Sequence, residues 1–599
     1  MKNILVLLGL VLSITLFGQE MKEIENLISS ERFDDAGSLL NDLKNKEPNN
    51  PYLFYLSGEN TLKSYISDPY SESRSTAIKK AKKFFSEGVK SDSLNPLNYV
   101  GIGMIELFKS NDSLRADYYF SRANDLIPRK SKRLFGSGTV NLSDLQIMAL
   151  LKLETAELYS NSPRYYKSDL YNKILVELKP LLPSIYIAYG DIKLAERDAS
   201  EAIILYKKAL YLEKTALSNY LVAKIYALAR NNFEARKYYE QALTLDSTFA
   251  PAYSGLGDLY YKDNKPQRAK INYAHYLRLT GNNIAAKINY VKALYKAKDY
   301  NGVVENAADI LKADSTKTYL LRLASYSLVD KKNPDMAKAL LYMQKFVYKT
   351  PEDELITKDY IYYSKILLAL KRDSNDINNG FEMLEKAYAI DSSNNEILVD
   401  LIKTSYHYKL YDKEIKYIVK KISFGDNNAN LITLLGKAYF YNKEYRKADS
   451  TFGLITAKDS LDFEAWKWRS NAMMAQDPDL KLGLAKPAFE KILLISGKDS
   501  GKYLKERYEA LSYLGSYYMF TSEVDLNKAI YYLKESIAMK ISDPEKKLKA
   551  YYALGFAYYK SKQWINAKAA YEIVLKLKPD DEYAPKALNE INKYLAGNK

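Results

Sequence analysis

Residues 551–579 read YYALGFAYYKSKQWINAKAAYEIVLKLKP, and their spacing of apolar and small residues predicts a helical hairpin. Its informative positions are Tyr551, Leu554, Gly555, Tyr558, Trp564, Ala567, Tyr571 and Pro579. Apolar residues at helical spacing predict two amphipathic helices that pack face to face. The small residues Gly555 and Ala567 are expected where the two helices cross closely, because a larger side chain there would force the helices apart.

The same pattern recurs along the chain at a fixed interval. Residues that take the place of Ala567 are separated by 34 positions in two series, which are Ala235, Ala269, Val303 and Ala337, and then Gly380, Glu414 and Ala448. The register can be followed back to Ala36. Turn signals such as Asn231-Asn232 and Asn442-Lys443 separate the two helical runs of each period. The chain is therefore predicted to be an array of similar helical hairpins.

This pattern resembles the tetratricopeptide repeat, which has a period of 34 residues and the signature W-x2-L-G-x2-Y, A-x3-F and P. The resemblance covers roughly residues 21–599. It implies an all-α fold, an α-α superhelical solenoid of about fourteen or fifteen helical hairpins in which each hairpin packs only on its neighbours.

We divide the chain into six segments on this basis. They are a signal peptide at 1–18, N-terminal repeat-like units at 19–129, an irregular helical segment with a loop at 130–181, central repeats at 182–370, C-terminal repeats at 371–580, and a capping helix and tail at 581–599. A capping helix is expected because the last repeat would otherwise expose its apolar face to water.

The N-terminus indicates export. Lys2 precedes an apolar run from Ile4 to Phe17, and Gly18 then precedes a polar stretch. A basic start, a short apolar core and a small residue are typical of a secretory signal peptide, with cleavage expected after Gly18. The alternative, an uncleaved N-terminal anchor, is disfavoured because the run is too short to span a bilayer. The ending resembles signal peptides of exported Bacteroidota proteins.

Composition limits the classes of function. The chain has no cysteine, which excludes disulfides, thiol nucleophiles and Cys-ligated zinc. The net charge of +16 is spread over 599 residues without a block of like charges, so no polybasic nucleic-acid or lipid tail is present. His275 and His407 are the only histidines, and no phosphate-binding loop or nucleophile elbow occurs. We therefore expect no enzyme activity, no cofactor and no metal.

In the tetratricopeptide family, the first helix of each repeat lines the concave face, where partners bind. Carried over to this chain, the resemblance implies a concave face of aromatic and lysine side chains. The candidate partner-binding residues are Tyr220, Lys224, Tyr261, Lys262, Lys292, Tyr295, Lys296, Lys437, Phe440, Tyr441, Phe520, Tyr552, Phe556, Tyr559 and Lys560. Tyrosine gives a stiff contact area and a hydroxyl for hydrogen bonding. The alternative for each tyrosine is packing against the next repeat.

The resemblance implies a protein–protein interaction scaffold of the periplasm or outer membrane, one that binds partner proteins or extended peptides. Similar exported proteins of Bacteroidota belong to outer-membrane assembly, secretion and gliding machinery. We therefore expect the protein to associate peripherally with outer-membrane complexes. We expect no transmembrane helix after the signal peptide is cleaved. A periplasmic holdase chaperone is the first alternative. A nucleic-acid-binding array is disfavoured because clustered arginines are lacking.

Overall fold

The computed structural model describes residues 19–110, 113–128, 142–160, 163, 166–281, 283–497, 501–539 and 543–597. Every regular element in these ranges is helical, which confirms the predicted all-α fold. The predicted signal peptide, residues 1–18, and the predicted loop at 130–141 lie outside the described residues. The chain forms two compact units, unit 1 ending at Glu354 and unit 2 beginning at Leu355.

Unit 1 contains nine helical hairpins in its described part. The first helix covers residues 19–29 and is α1. The following helices are α2 (Phe33–Lys46), α3 (Pro51–Ser67), α4 (Arg74–Ser91), α5 (Pro96–Ser110), α6 (Ser113–Asp125), α7 (Asp144–Thr155), α8 (Tyr166–Leu178), α9 (Pro183–Ala195), α10 (Ala199–Leu212), α11 (Ala216–Leu228), α12 (Asn232–Leu245), α13 (Ala250–Lys262), α14 (Pro266–Leu279), α15 (Ile284–Lys296), α16 (Tyr300–Ala313), α17 (Thr318–Asp330) and α18 (Met336–Lys349). Short 3₁₀ turns cover Ala156–Tyr159 and Glu352–Glu354.

Unit 2 contains six further hairpins and a final helix in its described part. Its helices are α19 (Thr357–Leu370), α20 (Ser374–Ile390), α21 (Asn395–His407), α22 (Tyr411–Ser423), α23 (Ala429–Tyr441), α24 (Tyr445–Lys458), α25 (Phe463–Gln476), α26 (Lys486–Ser496), α27 (Leu504–Phe520), α28 (Leu526–Ala538), α29 (Pro544–Lys560), α30 (Trp564–Leu577) and α31 (Ala584–Gly597). Helix α31 occupies the segment for which a capping helix is predicted, and it packs on α30.

The turn inside a hairpin repeats as regularly as the sequence does. Arg230, Asn264 and Lys298 lie 34 residues apart and adopt left-handed backbone angles, with φ of 57°, 56° and 60°. In the first of these turns, the Asn231 amide donates to the Tyr226 carbonyl at 2.9 Å. This is the hydrogen bond that closes a Schellman-type helix end. The turn is therefore set by a backbone motif, and it does not require glycine.

Small residues mark the helix crossings, as predicted. A Cβ atom placed on Gly257 would lie 2.8 Å from the Tyr273 ring, and one on Gly436 would lie 2.6 Å from the Phe452 ring. At Gly555 the corresponding distance, to the Tyr571 ring, is 3.1 Å. In each case the aromatic ring comes from the second helix of the same hairpin. A side chain larger than hydrogen would displace that ring, which explains the residue preference.

In unit 1, hairpins that are six to seven repeats apart along the chain come into contact. Arg32, in the turn of the first hairpin, donates from Nη1 to Thr248 Oγ1 at 3.1 Å, a separation of 216 residues. Tyr276 donates from its hydroxyl to Glu31 Oε2 at 2.5 Å across 245 residues. These contacts bring α1 and α2 against the region of α12 to α14. We call the whole contact zone between α1–α4 and α12–α17 the seam.

A side chain from one end of the ring caps a helix from the other end. Asp68, just after α3, accepts from the backbone amides of Ile284 at 2.9 Å and Ala285 at 3.3 Å. Asn283 caps the next amide, that of Ala286, at 2.9 Å and donates to Ser67 Oγ at 3.0 Å. The first amides of a helix have no partner within the helix. At α15 the seam supplies partners for two of them.

The apolar core, by contrast, is local. The buried residues Ile28 and Leu40 belong to a cluster drawn from residues 21–185, whereas Tyr273 belongs to one drawn from residues 216–293. Each cluster joins a hairpin to its neighbours in sequence. The described contacts at the seam are polar, and this difference matters for the behaviour of unit 1.

Candidate functional site

The first helices of six hairpins surround one space inside unit 1. A cavity of about 750 Å³ is lined by side chains from α1, α3, α5, α7, α9 and α11. A neighbouring cavity of about 450 Å³ shares Ile28, Glu59, Lys63 and Lys152 with it. These volumes are those of ligand-binding pockets in proteins. We call this space the inner cavity.

A buried ion cluster forms part of the cavity wall. Glu59 on α3 accepts from Lys63 Nζ at 3.0 Å and from Lys152 Nζ, on α7, at 2.6 Å. Burial alone opposes ionisation of Glu59, but the two ammonium groups outweigh burial and lower its pKa to about 2. Glu59 is therefore ionised at neutral pH. The Lys63 side chain remains 37% exposed, so it presents a cation to the cavity.

Two more carboxyl groups face the same space, each held by a tyrosine from a second helix. Tyr206 donates to Asp191 Oδ1 at 2.7 Å, and Tyr276 donates to Glu31. Burial raises the pKa of both carboxyl groups, and the charges of Lys224 and Lys63 act against that rise. Lys224 is exposed and forms no hydrogen bond or ion pair within the described residues. Its ammonium group is available to a bound partner.

Several of the predicted residues lie at the ends of α13 and α15, where equivalent positions of adjacent hairpins meet. Lys296 Nζ stands 4.0 Å from the centre of the Tyr261 ring. Lys292 lies over the Tyr319 ring at 6.0 Å, and Tyr295 packs on Tyr300. Cation–π contacts of this kind are worth about 0.5–1 kcal/mol at exposed sites. Lys262, also predicted, is exposed beside them.

Tyr220, by contrast, is a packing residue in large part. Its ring lies 5.8 Å from that of Tyr239 and 5.6 Å from that of Phe249. It is half-buried, and burial raises the pKa of its hydroxyl. Its neighbour on the helix, Lys224, is exposed, and its charge acts on the cavity-lining carboxyl groups of Glu31 and Asp191.

In unit 2, the structure gathers Lys437, Phe440 and Tyr441 around a residue that the sequence analysis missed. Trp468 on α25 lies 5.4 Å from the Phe440 ring and 6.0 Å from the Tyr441 ring. Lys437 Nζ stands 5.3 Å from the Trp468 ring. Tyr441 is 47% exposed. The three predicted residues and Trp468 therefore form one aromatic surface with a cation at its edge.

The last five predicted residues separate into two sets. Phe520, Phe556 and Lys560 form one, and Tyr552 and Tyr559 form the other. Phe520 and Phe556 stack at 5.7 Å, with Lys560 Nζ 5.4 Å from the Phe556 ring. Tyr552 packs against Tyr571 and Tyr583. Tyr559 donates to Glu590 Oε2 of α31 at 3.1 Å. Tyr552 and Tyr559 thus contact the end of the array, while Phe520 and Lys560 are exposed and Phe556 is half-buried beneath Phe520.

Sequence reasoning missed Glu31, Glu59, Lys63, Lys152 and Asp191, the charged residues of the inner cavity. A signal for two of them was present. The residue after the small crossing residue lines the cavity, as in Gly58-Glu59 and Gly190-Asp191. No corresponding signal marks Glu31, because Glu31 lies in a turn and is brought inward by ring closure.

The two histidines are accounted for by aromatic contacts. His275 stacks on Tyr253 at 5.0 Å, and His407 meets the Tyr408 ring edge-on at 4.7 Å. Within the described ranges, no group of three or more His, Cys, Asp or Glu side chains is arranged to hold a metal ion.

Residues 548–581, which include most of α29 and all of α30, match the family model described as the tetratricopeptide repeat. The chain therefore contains a tetratricopeptide repeat at these residues. The same hairpin recurs through both units. Such repeats typically serve as non-catalytic scaffolds for protein–protein interaction.

Solved structures of tetratricopeptide repeat proteins are similar to parts of this chain at low identity. The C-terminal part of a repeat protein from Cytophaga hutchinsonii is 23% identical, covering 50% of this chain and 98% of that chain, with a TM-score of 0.27. YrrB, described as a TPR protein with an unusual peptide-binding site, is 20% identical, covering 30% and 93%, with a TM-score of 0.28. A repeat protein from Parabacteroides merdae is 16% identical, covering 40% and 92%, with a TM-score of 0.25. The comparison with curated proteins found no match.

Among the described residues, no helix has the length and apolar character needed to cross a membrane.

Proposed function

We propose that this protein is a non-catalytic scaffold of the bacterial periplasm or of the periplasmic face of the outer membrane. Its partners are proteins or extended peptide segments that bind the concave face formed by the first helices. The outer-membrane assembly, secretion and gliding machineries are the processes in which we expect those partners.

One observation carries the binding proposal. The first helices of six consecutive hairpins leave a cavity of about 750 Å³ whose wall holds exposed charges and apolar side chains together. Lys224, whose charge acts on Glu31 and Asp191 of that wall, offers an exposed ammonium group without a hydrogen-bond or ion-pair partner among the described residues. A wall that is packed for stability alone would pair its charges or bury them. The inner cavity is therefore where a partner segment would find both hydrogen bonds and apolar contact.

The binding proposal is tested by crosslinking and mass spectrometry of the native envelope fraction, with a tagged chain as bait. We expect defined partners that crosslink to the first helices. Lys224→Ala should reduce their recovery, whereas Lys345→Ala, at an exposed lysine of the second helix α18, should leave recovery unchanged. Equal recovery of partners by both variants would contradict binding at the cavity.

Export is supported by the pattern of residues 1–18 and by the absence of cysteine, which suits an oxidising compartment. Cleavage after Gly18 would leave the buried residues Met21, Ile24 and Ile28 of α1 in the mature chain. Fractionation followed by N-terminal sequencing should find a periplasmic protein that begins at Gln19. A full-length cytoplasmic product would refute export.

A holdase chaperone is the second candidate, and the stacked pair of Phe520 and Phe556 favours it. Phe520 is 54% exposed, and exposed aromatic surface is a general means of holding unfolded chains. A holdase would suppress thermal aggregation of unrelated proteins at stoichiometric ratios. A scaffold with defined partners would not, so this assay separates the two functions.

A further inference from the structure

The left-handed turns within the hairpins share a second regular feature, which is positive charge. Ten residues other than glycine have a positive φ in the described ranges, and seven of them are lysine or arginine. Each of the seven is exposed and lies in the turn between the first and second helix of its hairpin. We call them the basic turn row, and they are Arg197, Arg230, Lys298, Lys371, Lys409, Lys443 and Lys562.

The backbone of these turns does not favour lysine or arginine. A left-handed φ brings Cβ close to the backbone, so glycine and asparagine adopt it with the least strain. The chain uses asparagine at one equivalent turn, Asn264, and places Lys262 and Lys265 beside it. The turn therefore accepts an uncharged residue, and the cations at the other turns need a separate explanation.

The helix dipole does not supply that explanation. A cation is favoured at the C-terminus of any helix, because the last carbonyl groups carry partial negative charge. The second helices α10, α12 and α16 nevertheless have acidic C-caps, which are Glu213, Asp246 and Asp314. If the dipole decided the residue type, these helix ends would be basic as well.

Contacts within the chain do not explain the cations either. No member of the basic turn row forms a side-chain hydrogen bond or an ion pair in the part of the chain that the structure describes. Carboxyl groups at two of the same turns are, by contrast, engaged. Asp198 accepts from the Glu201 amide at 3.0 Å, and Asp299 accepts from the Gly302 amide at 3.2 Å and from Lys270 Nζ at 3.0 Å. The row is therefore left for a partner outside the chain.

Exposed apolar side chains lie close in sequence to members of the row. Phe233, three residues after Arg230, is 72% exposed, and Ile565, three residues after Lys562, is 75% exposed. Leu228, two residues before Arg230, is 61% exposed. Cations beside exposed apolar side chains are typical of protein surfaces that rest on a bilayer, where the cations meet headgroups and the apolar groups insert between lipids.

The position of the row favours a flat partner. Proteins that bind a single nucleic-acid strand line a groove with cations and stacking rings, whereas these residues occupy turns and none of them lines the inner cavity. The first helix α11 packs on α13 in unit 1, and α23 packs on α25 in unit 2. Since consecutive hairpins of a unit stack in the same orientation, their turns project from one edge of that unit.

We propose that the basic turn row binds the surface of an anionic phospholipid bilayer, with Phe233 and Ile565 inserted among the lipids. Lysine and arginine side chains contact the lipid phosphates, and each unit can make this contact by itself. The proposal goes beyond the proposed function, because it assigns a lipid-binding edge that is separate from the inner cavity. Successive members of the row are at least 33 residues apart, so runs of like charge in the sequence do not reveal it.

Vesicle sedimentation with the full chain tests the charges. The row variant combines Arg197→Asn, Arg230→Asn, Lys298→Asn, Lys371→Asn, Lys409→Asn, Lys443→Asn and Lys562→Asn. Asparagine tolerates the left-handed turn, so helix content should be unchanged. The control variant removes the same charge from exposed lysines of the second helices and of a turn between hairpins. It combines Lys214→Gln, Lys312→Gln, Lys345→Gln, Lys420→Gln, Lys458→Gln, Lys534→Gln and Lys576→Gln.

Vesicles of phosphatidylcholine alone are compared with vesicles that contain equal parts of phosphatidylcholine and phosphatidylglycerol. We expect the native chain and the control variant to bind the anionic vesicles and to leave the neutral ones unbound. The row variant should bind the anionic vesicles about tenfold or more weakly, because each cation near the surface adds to the affinity. Equal binding by the row and control variants, or equal binding to both kinds of vesicle, would overturn the proposal.

A fluorescent label tests insertion, and the chain has no native cysteine to interfere. Phe233→Cys and Tyr211→Cys each receive an environment-sensitive fluorophore, and Tyr211 is 86% exposed on α10 away from the turn. With anionic vesicles, emission should shift to the blue at position 233 and stay unchanged at 211. Polyglutamate and an oligonucleotide should shift neither label. No shift at 233, or equal shifts at both positions, would refute insertion.

The same probes separate a bilayer from a soluble polyanion. If polyglutamate or the oligonucleotide displaces the chain from anionic vesicles at matched charge, the row binds a soluble polymer and the assignment to lipid is wrong. The labelled chains keep the native row, so they test contact with the bilayer even if the row variant folds poorly. None of these measurements uses a protein partner. Their failure is therefore distinct from a failure to recover partners from the envelope.

Discussion

Units 1 and 2 are built from the same hairpin, yet their contacts extend over very different distances along the chain. In unit 1, Arg32 and Thr248 are bonded across 216 residues. In unit 2, the longest hydrogen bond that we describe, from the Tyr408 hydroxyl to the Leu368 carbonyl, spans 40 residues. Unit 1 is thus a ring with linked ends, and the described contacts of unit 2 join neighbours only. Both units have the same contacts between neighbouring hairpins, and unit 1 has in addition the long-range contacts that close it into a ring.

The largest effect should come from removing a buried ring in each unit. Phe85 in unit 1 and Phe452 in unit 2 are both fully buried against a crossing glycine. Phe85→Ala and Phe452→Ala should each cost about 3–5 kcal/mol. In unit 2 we expect faster hydrogen exchange only in α23, α24 and their neighbours. In unit 1 the amides of Ile284 and Ala285 at the seam should also exchange faster.

Hydrogen exchange with mass spectrometry measures this directly, with the unaltered unit of each variant as its internal control. A seam that stays protected in Phe85→Ala would show that ring closure does not couple the hairpins of unit 1.

Two buried carboxyl groups should give the units different pH dependences. Glu154 in unit 1 and Glu414 in unit 2 are buried, and burial raises their pKa values to about 9 and about 7. Above the pKa of an unfolded glutamate, the folded chain holds a proton that the unfolded chain has released. Stability therefore falls as pH rises, by at most about 1.4 kcal/mol per pH unit for each group.

We expect unit 1 to lose stability up to about pH 9 from Glu154, and unit 2 only up to about pH 7 from Glu414. Glu154→Gln and Glu414→Gln should each flatten the dependence of their own unit, as urea denaturation followed by hydrogen exchange at a series of pH values would show. A stability that rises with pH in either window would contradict the assigned protonation.

A smaller effect is expected from removing one long-range hydroxyl in each unit. Tyr276→Phe leaves the half-buried Glu31 without its donor and should cost about 1–3 kcal/mol, while Tyr408→Phe should cost about 1 kcal/mol. Amide hydrogen exchange should become faster across the seam in Tyr276→Phe. In Tyr408→Phe it should become faster only near α19 and α21. Identical, strictly local changes would mean that the seam bond is not part of ring closure.

The smallest effect on stability should come from the exposed aromatic pair. Phe520→Ser should change the free energy of unfolding by about 0.5 kcal/mol or less, because the ring is 54% exposed. Recovery of crosslinked partners by unit 2 should nevertheless fall. Tyr348→Ser, at a residue of unit 1 that is 91% exposed, is the matched control and should leave recovery unchanged. A normal recovery with Phe520→Ser would remove this pair from the binding surface.

Much of the candidate surface could be predicted because it follows the repeat. The family resemblance, carried along the repeat register, predicts Lys224, Lys296 and Lys437. The structure places Lys224 near the cavity-lining Asp191, and Lys296 and Lys437 over aromatic rings. Trp468 and Glu31 could not be found that way. Trp468 lies on α25, a different helix from Lys437, and Glu31 lies in a turn. Only the packing of the helices brings these two residues to the surfaces described above.

The hairpin can be predicted from the sequence, because the interactions that form it are short-range. Apolar spacing sets the helices, and Gly436 and its equivalents set how closely the helices cross, all within one period of 34 residues. The closure of unit 1 becomes visible only in the three-dimensional structure. Closure depends on small rotations added over six or seven hairpins, and on Asp68 meeting α15 across 216 residues. Nothing local to Asp68 distinguishes it from an ordinary turn aspartate, since its partner is fixed by the sum of those rotations.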